Sequence, residues 1–171
     1  MVTARPRTLA RVAAVQALYQ SEQSSDSAET VIDQFIRHRL TKPPHPPAGT
    51  QAITIATRID DGLSPDANAS LFANIVRRAT TEQDQIDPLI AANLPESWPM
   101  PRLDPVLRAL LRAAAAELRM SDGPPARVVI NEYLDIAHGF FADDAVQLAN
   151  AMLDRIAHTL RPADFQTNPT P

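Results

Sequence analysis

Leu103-Asp104-Pro105-Val106-Leu107-Arg108-Ala109-Leu110-Leu111-Arg112 is the stretch that decides the fold class. Asp104 can accept from the free amides of a first helical turn, and Pro105 stands where a missing N–H costs nothing. Leu103, Leu107, Leu110 and Leu111 recur at three- and four-residue intervals, which places them on one helical face. Upstream the same period runs through Ile86, Leu89, Ile90 and Leu94, and before that through Leu71, Phe72, Ile75 and Val76. Downstream, Gly123-Pro124-Pro125 breaks the chain. Val129, Tyr133, Ile136 and Phe140 then form one stripe, and Val146, Leu153, Ile156 and Leu160 another.

The amino-terminal part reads the same way. A first helix is expected over Pro6 to Ser21, with Leu9, Val12, Ala13 and Gln16 on one stripe and Arg7 and Arg11 one turn apart on another face. Asp26 followed by Glu29 marks the start of a second helix, whose buried stripe is Val31, Ile32, Phe35 and Ile36. That helix ends before Pro43. Residues 41–50 hold four prolines and a glycine and are expected to form a loop. One short run, Ile53 to Ile59, is ambiguous between strand and helix. The sum is an all-α, compact bundle of about seven helices, a single domain over 1–162 followed by a disordered tail over 163–171.

Little here supports chemistry. No cysteine is present, so neither a disulfide nor a thiolate metal site can form, and a reducing cytoplasm suits the chain. His38, His45, His138 and His158 lie too far apart in sequence for a metal motif, and no cofactor is expected. Four glycines build neither a phosphate-cradling loop nor a dinucleotide fingerprint, and no serine sits in a nucleophile elbow. The chain therefore reads as a non-enzyme. The start carries two arginines and no apolar run of signal-peptide length, and no window nears the roughly 20 apolar residues of a membrane span.

Charge narrows the partner class. A net charge of −4 argues against a protein that coats nucleic acid nonspecifically, so any RNA site must be local. Arg5, Arg7 and Arg11 precede the first acidic residue, Glu22, while Asp60, Asp61, Asp66, Asp143 and Asp144 punctuate the body. Every cation but Lys42 is an arginine, whose flat fork suits phosphates and base edges. Asp143-Asp144 reads as a cap on the helix that follows. Asn131 and Asn150 read as buried amides bonding helix to helix. Tyr19 and Trp98 could both stack on unpaired bases, but Trp98, between Pro95 and Pro99, reads rather as core packing or a loop anchor.

Taken in order, several segments resemble the NusB family. They are Ala10-Arg11-Val12-Ala13-Ala14-Val15-Gln16-Ala17-Leu18-Tyr19-Gln20, Trp98-Pro99-Met100-Pro101-Arg102-Leu103-Asp104, Leu110-Leu111-Arg112-Ala113 and Glu117-Leu118. Val128-Val129-Ile130-Asn131-Glu132-Tyr133, His138-Gly139-Phe140-Phe141, Asn150, Leu153-Asp154 and Leu160-Arg161-Pro162 continue the set. The likeness is good over 5–20 and 98–162, loose over 66–97 and nearly absent from Thr41 to Pro65.

This resemblance implies two small helical bundles packed together. An arginine-rich first helix and a facing surface near the carboxyl end would bind the boxA RNA element. It also implies a heterodimer with the ribosomal protein NusE, work within the transcribing RNA polymerase complex, and a free state that is either monomer or homodimer. Arg7, Arg11, Tyr19 and Asp144 match family positions at the RNA, and Arg5 belongs to the same basic end. Asp144 can help only by accepting from a base amino group. Leu148-Ala149-Asn150-Ala151 stands where the family commonly has Phe-Val-Asn-Gly, so Leu148 occupies an RNA-facing position without its aromatic. Leu107 and Ala116 likewise replace a usual acid and a usual aromatic. The implied function is transcription antitermination. The alternatives are a diverged module of this fold that has lost RNA, and the helical appendage of an rRNA cytosine methyltransferase, whose catalytic part is not found in this sequence.

Overall fold

A computed structural model describes residues 5–41 and 66–166. Among them lie seven α-helices and no strand: α1 Pro6–Ser24, α2 Ala28–Phe35, α3 Ala69–Thr81, α4 Gln83–Asn93, α5 Pro105–Leu118, α6 Ala126–Phe140 and α7 Asp143–Leu160. The chain divides into two compact units, one up to Arg77 and one from Arg78 onward. The expected loop over 41–50, the ambiguous Ile53 to Ile59, Asp60, Asp61 and His45 fall outside the described residues, Thr41 excepted.

In the first unit α1 is buried from Leu9 to Leu18 at every position but the half-buried Gln16. A helix enclosed on all sides belongs inside a fold rather than on it. Ser25 ends α1 in the left-handed conformation, φ 60°, and its amide bonds the Ser21 carbonyl. The start of α2 lies one residue beyond the expected cap: Ser27 accepts from the Thr30 amide at 3.2 Å, while Asp26 receives the Ser24 hydroxyl. Either side chain can cap, and the turn geometry selects serine. Phe35 and Phe72 stack at 5.6 Å between centroids, joining α2 to α3. Asn68 caps α3 through the Leu71 amide, and its own amide bonds the Pro6 carbonyl, which holds the start of α1 in place.

In the second unit α5, α6 and α7 pack pairwise, and α4 lies against α5 and α7. Asp104 accepts from the amides of Val106 and Leu107 at 2.8 and 3.3 Å, with Pro105 next to it, as the sequence predicts. Arg112 makes a two-pronged bond to Asp87, 2.7 and 2.8 Å, which fastens α5 to α4. Glu82 receives both Arg78 and Arg119.

Four expectations are corrected. The chain beyond α7 does not turn irregular at once: Pro162–Phe165 form a 3₁₀ turn, Asp164 accepts from the Ala126 amide at 2.8 Å, and Phe165 stacks on His158 at 3.7 Å. Residues 167–171 lie outside the described part. Asn131 and Asn150 are exposed, because the buried stripes of α6 and α7 turn away from them. Trp98 is 43 % exposed rather than core. Asp143 and Asp144 occupy the first turn of α7 but do not cap it, since Ala142 holds the cap position without a side-chain bond.

Candidate nucleic-acid interface

Arg5 and Arg7 flank the first helical proline, and both are exposed. No hydrogen bond or ion pair of either guanidinium occurs among the described residues. Their position is unfavourable on local grounds, because a helix amino terminus carries the positive end of the macrodipole and α1 has no acidic residue in its first turn. Two cations and a helix dipole thus concentrate positive potential at one spot, the arrangement that attracts an anion.

Arg11, one turn further, behaves differently. It is 3 % exposed and is not without a partner. A buried guanidinium is held by what it bonds and is closed to a passing phosphate in this conformation. Tyr19 is 39 % exposed on the same helix, about 18 Å along the axis from Arg7 at 1.5 Å per residue. One nucleotide cannot touch both, so a strand running along α1 would meet them in turn.

In the second unit Asp144 is exposed and Leu148 half-buried, one helical turn apart on the same side of α7. The carboxylates of Asp143 and Asp144 complement the dipole at this helix start. Arg5 with Arg7 and Asp144 with Leu148 are therefore two local pairs, each within its own unit, while Arg11 is withdrawn from the surface.

Of the readings open for Trp98, the exposed side chain excludes core packing. Pro95, Pro99 and Pro101 frame it, the Trp98 amide bonds the Pro95 carbonyl at 2.9 Å, and Arg108 donates to the carbonyls of Met100 and Leu103. Arg102, exposed on the same segment, makes no ion pair among the described residues. The prolines were the available signal, since they disfavour the helical burial that an indole would otherwise find. Among the described residues no group of three or more His, Asp or Glu could hold a metal ion, and no helix is long and apolar enough to cross a membrane.

The NusB family model matches residues 8–158. The transcription antitermination protein NusB of Granulibacter bethesdensis is 56 % identical over 161 residues, which cover 94 % of this chain and 93 % of that one. The protein of the same name from Gluconobacter oxydans is 53 % identical over 155 residues, 91 % of this chain and 88 % of that one. The solved structure of T. maritima NusB has a TM-score of 0.66 at 24 % identity, over 95 % of this chain and 98 % of that chain, and this likeness concerns the fold alone. Helix order, segment matches and identity over nearly the whole length point one way: the chain belongs to the NusB family.

Proposed function

We propose that this chain is a transcription antitermination factor of the cytoplasm. It binds a boxA-type single-stranded RNA together with the ribosomal protein NusE, within the transcribing polymerase complex, and performs no chemistry. The observation that carries this reading is the pair of exposed arginines, unpaired among the described residues, at the positive end of the α1 dipole in a chain whose net charge is −4. Arg5 and Arg7 engage phosphate, Tyr19 offers a stacking face or a hydroxyl, and Asp144 accepts from a base amino group. Arg11, being buried, holds α1 and orients its neighbours in the free protein. The family name borne by both relatives supports the antitermination role.

The test is an anisotropy titration of a labelled boxA-type oligoribonucleotide, with and without NusE, at several salt concentrations. Selective binding that NusE tightens and salt weakens is the expected result. No binding at moderate salt with both proteins present would remove the proposal.

A second reading has its own observation. Trp98 beside Arg102 on a proline-framed segment has the composition of a protein-binding hot spot. With Leu148 in place of an aromatic, this favours an interaction module that has given up RNA. Protein capture without any RNA affinity would select that reading.

A further inference from the structure

The end of α2 continues as one π-helical turn, Ile36–Leu40, with the sequence Ile-Arg-His-Arg-Leu. Three cationic or ionisable side chains follow one another there, and each is differently placed. Arg39 lies over the buried ring of Phe35, its guanidinium carbon 4.4 Å from the centroid, which fixes the group at the surface of the core. Arg37 pairs with Asp33 at 2.9 Å, with both side chains largely exposed, so the pair exchanges readily with solvent or with another anion. His38 is exposed and has no partner among the described residues.

Among the described residues, α2 and this turn carry two carboxylates against Arg37, Arg39 and the ionisable His38. The two carboxylates of α2 are both engaged by arginine: Asp33 by Arg37, and Glu29 by a two-pronged bond from Arg77 at 2.6 and 3.0 Å. Neither cancels His38 or Arg39. The turn continues the helix that pairs with α1. Gln20 of α1 donates to Gln34 of α2 at 2.9 Å, which registers the two helices of this hairpin. Gln34 lies four residues before His38, and Gln20 one residue after Tyr19, so the bond between them ties the two ends of the hairpin that carry these side chains. The basic turn and the exposed Tyr19 thus belong to one hairpin, joined through the Gln20–Gln34 bond.

We infer that Arg37 and His38, backed by Arg39, form a second phosphate-binding element that holds the RNA strand where it passes Tyr19. The inference rests on the RNA-binding reading above and extends the binding surface along α1, away from Arg5 and Arg7. An acidic peptide could also meet such a turn. The exposed tyrosine on the same hairpin favours a nucleic acid, since it provides a stacking face that a peptide carboxylate does not need.

The test uses the full chain with NusE and the same labelled oligoribonucleotide, comparing the Arg37→Ala/His38→Ala variant with the Arg5→Ala/Arg7→Ala variant. Arg39 is left intact because it packs on the core. The first variant should keep its melting temperature, bind about tenfold more weakly at low salt, and show a salt slope shallower by roughly 0.7 for each phosphate no longer neutralised. Asp33→Ala, which releases Arg37 and removes a like charge to phosphate, should tighten binding about twofold to threefold. Unchanged affinity and slope in the Arg37→Ala/His38→Ala variant, when Arg5→Ala/Arg7→Ala weakens binding, overturns this inference and leaves the functional reading standing. A weaker Asp33→Ala variant also counts against it. Failure of the unaltered chain to bind RNA with NusE present overturns both.

Discussion

Five arginines of the second unit and the two at the start of α1 share a residue type and almost nothing else. Arg112 grips Asp87, Arg119 and Arg78 share Glu82, Arg155 bonds the Asn93 carbonyl, and Arg161 donates to the carbonyls of Leu118, Met120 and Pro124. Each satisfies a helix end or ties one helix to another. Among the described residues Arg5 and Arg7 do neither, and they stand at the helix end where a cation is least welcome. An arginine count thus says little about RNA. What sets Arg5 and Arg7 apart from these five is that no described residue supplies them with an acceptor.

This contrast can be broken most forcefully at Arg161. Arg161→Ala removes charge-assisted bonds to three carbonyls, and it should destabilise the protein by about 3 kcal/mol in denaturant unfolding. RNA affinity at a temperature where the variant remains folded should hardly change. A strong loss of affinity there would show that structural and binding arginines are not separable.

Next in size is Leu148→Phe, which restores a ring at the half-buried position one turn after Asp144. If the site binds unpaired bases, stacking should tighten RNA binding by about 2 kcal/mol, roughly thirtyfold, with little change in melting temperature. No gain would place the RNA elsewhere. Arg5→Ala with Arg7→Ala should lower affinity by about 1.5 kcal/mol at low salt, with a shallower salt slope and unchanged unfolding. Destabilisation without loss of binding would reverse their assignment.

The smallest effect concerns Glu29. The hydrogen bond from Arg77 holds its carboxyl below the ordinary value of 4.5. A depressed carboxylate contributes stability above its unfolded value and loses it as pH falls through the folded one. Glu29→Gln should therefore be slightly less stable than the parent at neutral pH, and the two should converge as acidification goes below about 4.5. The pair is exposed on both sides, so the difference should be small and reduced by salt. A gap that persists at low pH would show that the substituted amide disturbs packing instead.

Much of the fold is legible in the sequence because its signals are local. The Asp104-Pro105 start of α5, the Gly123-Pro124-Pro125 break and the stripes of α3 and α6 need only a period and a cap. The misreadings share a cause. Residue type and neighbouring apolar positions assign Trp98, Asn131 and Asn150 to the interior, yet burial depends on which face a neighbouring helix covers. Pro162 ends a helix and so suggests a tail after α7, whereas the order of that turn comes from Asp164 and Phe165 meeting residues remote in sequence, Ala126 and Arg127. At the candidate site, the basic character of the α1 start is a matter of composition, but the withdrawal of Arg11 is not.

Composition and periodicity by themselves determined that this chain is helical, lacks cysteine chemistry and carries its amino-terminal cations on one helix, since each follows from near neighbours. Only the tertiary structure decided which of those cations meets solvent. Arg7 and Arg11 are indistinguishable by spacing, but α1 is buried over Leu9 to Leu18, so the turn that carries Arg7 stays outside while the next takes Arg11 in. The free energy of a guanidinium depends on what surrounds it, and that is decided by packing rather than by spacing.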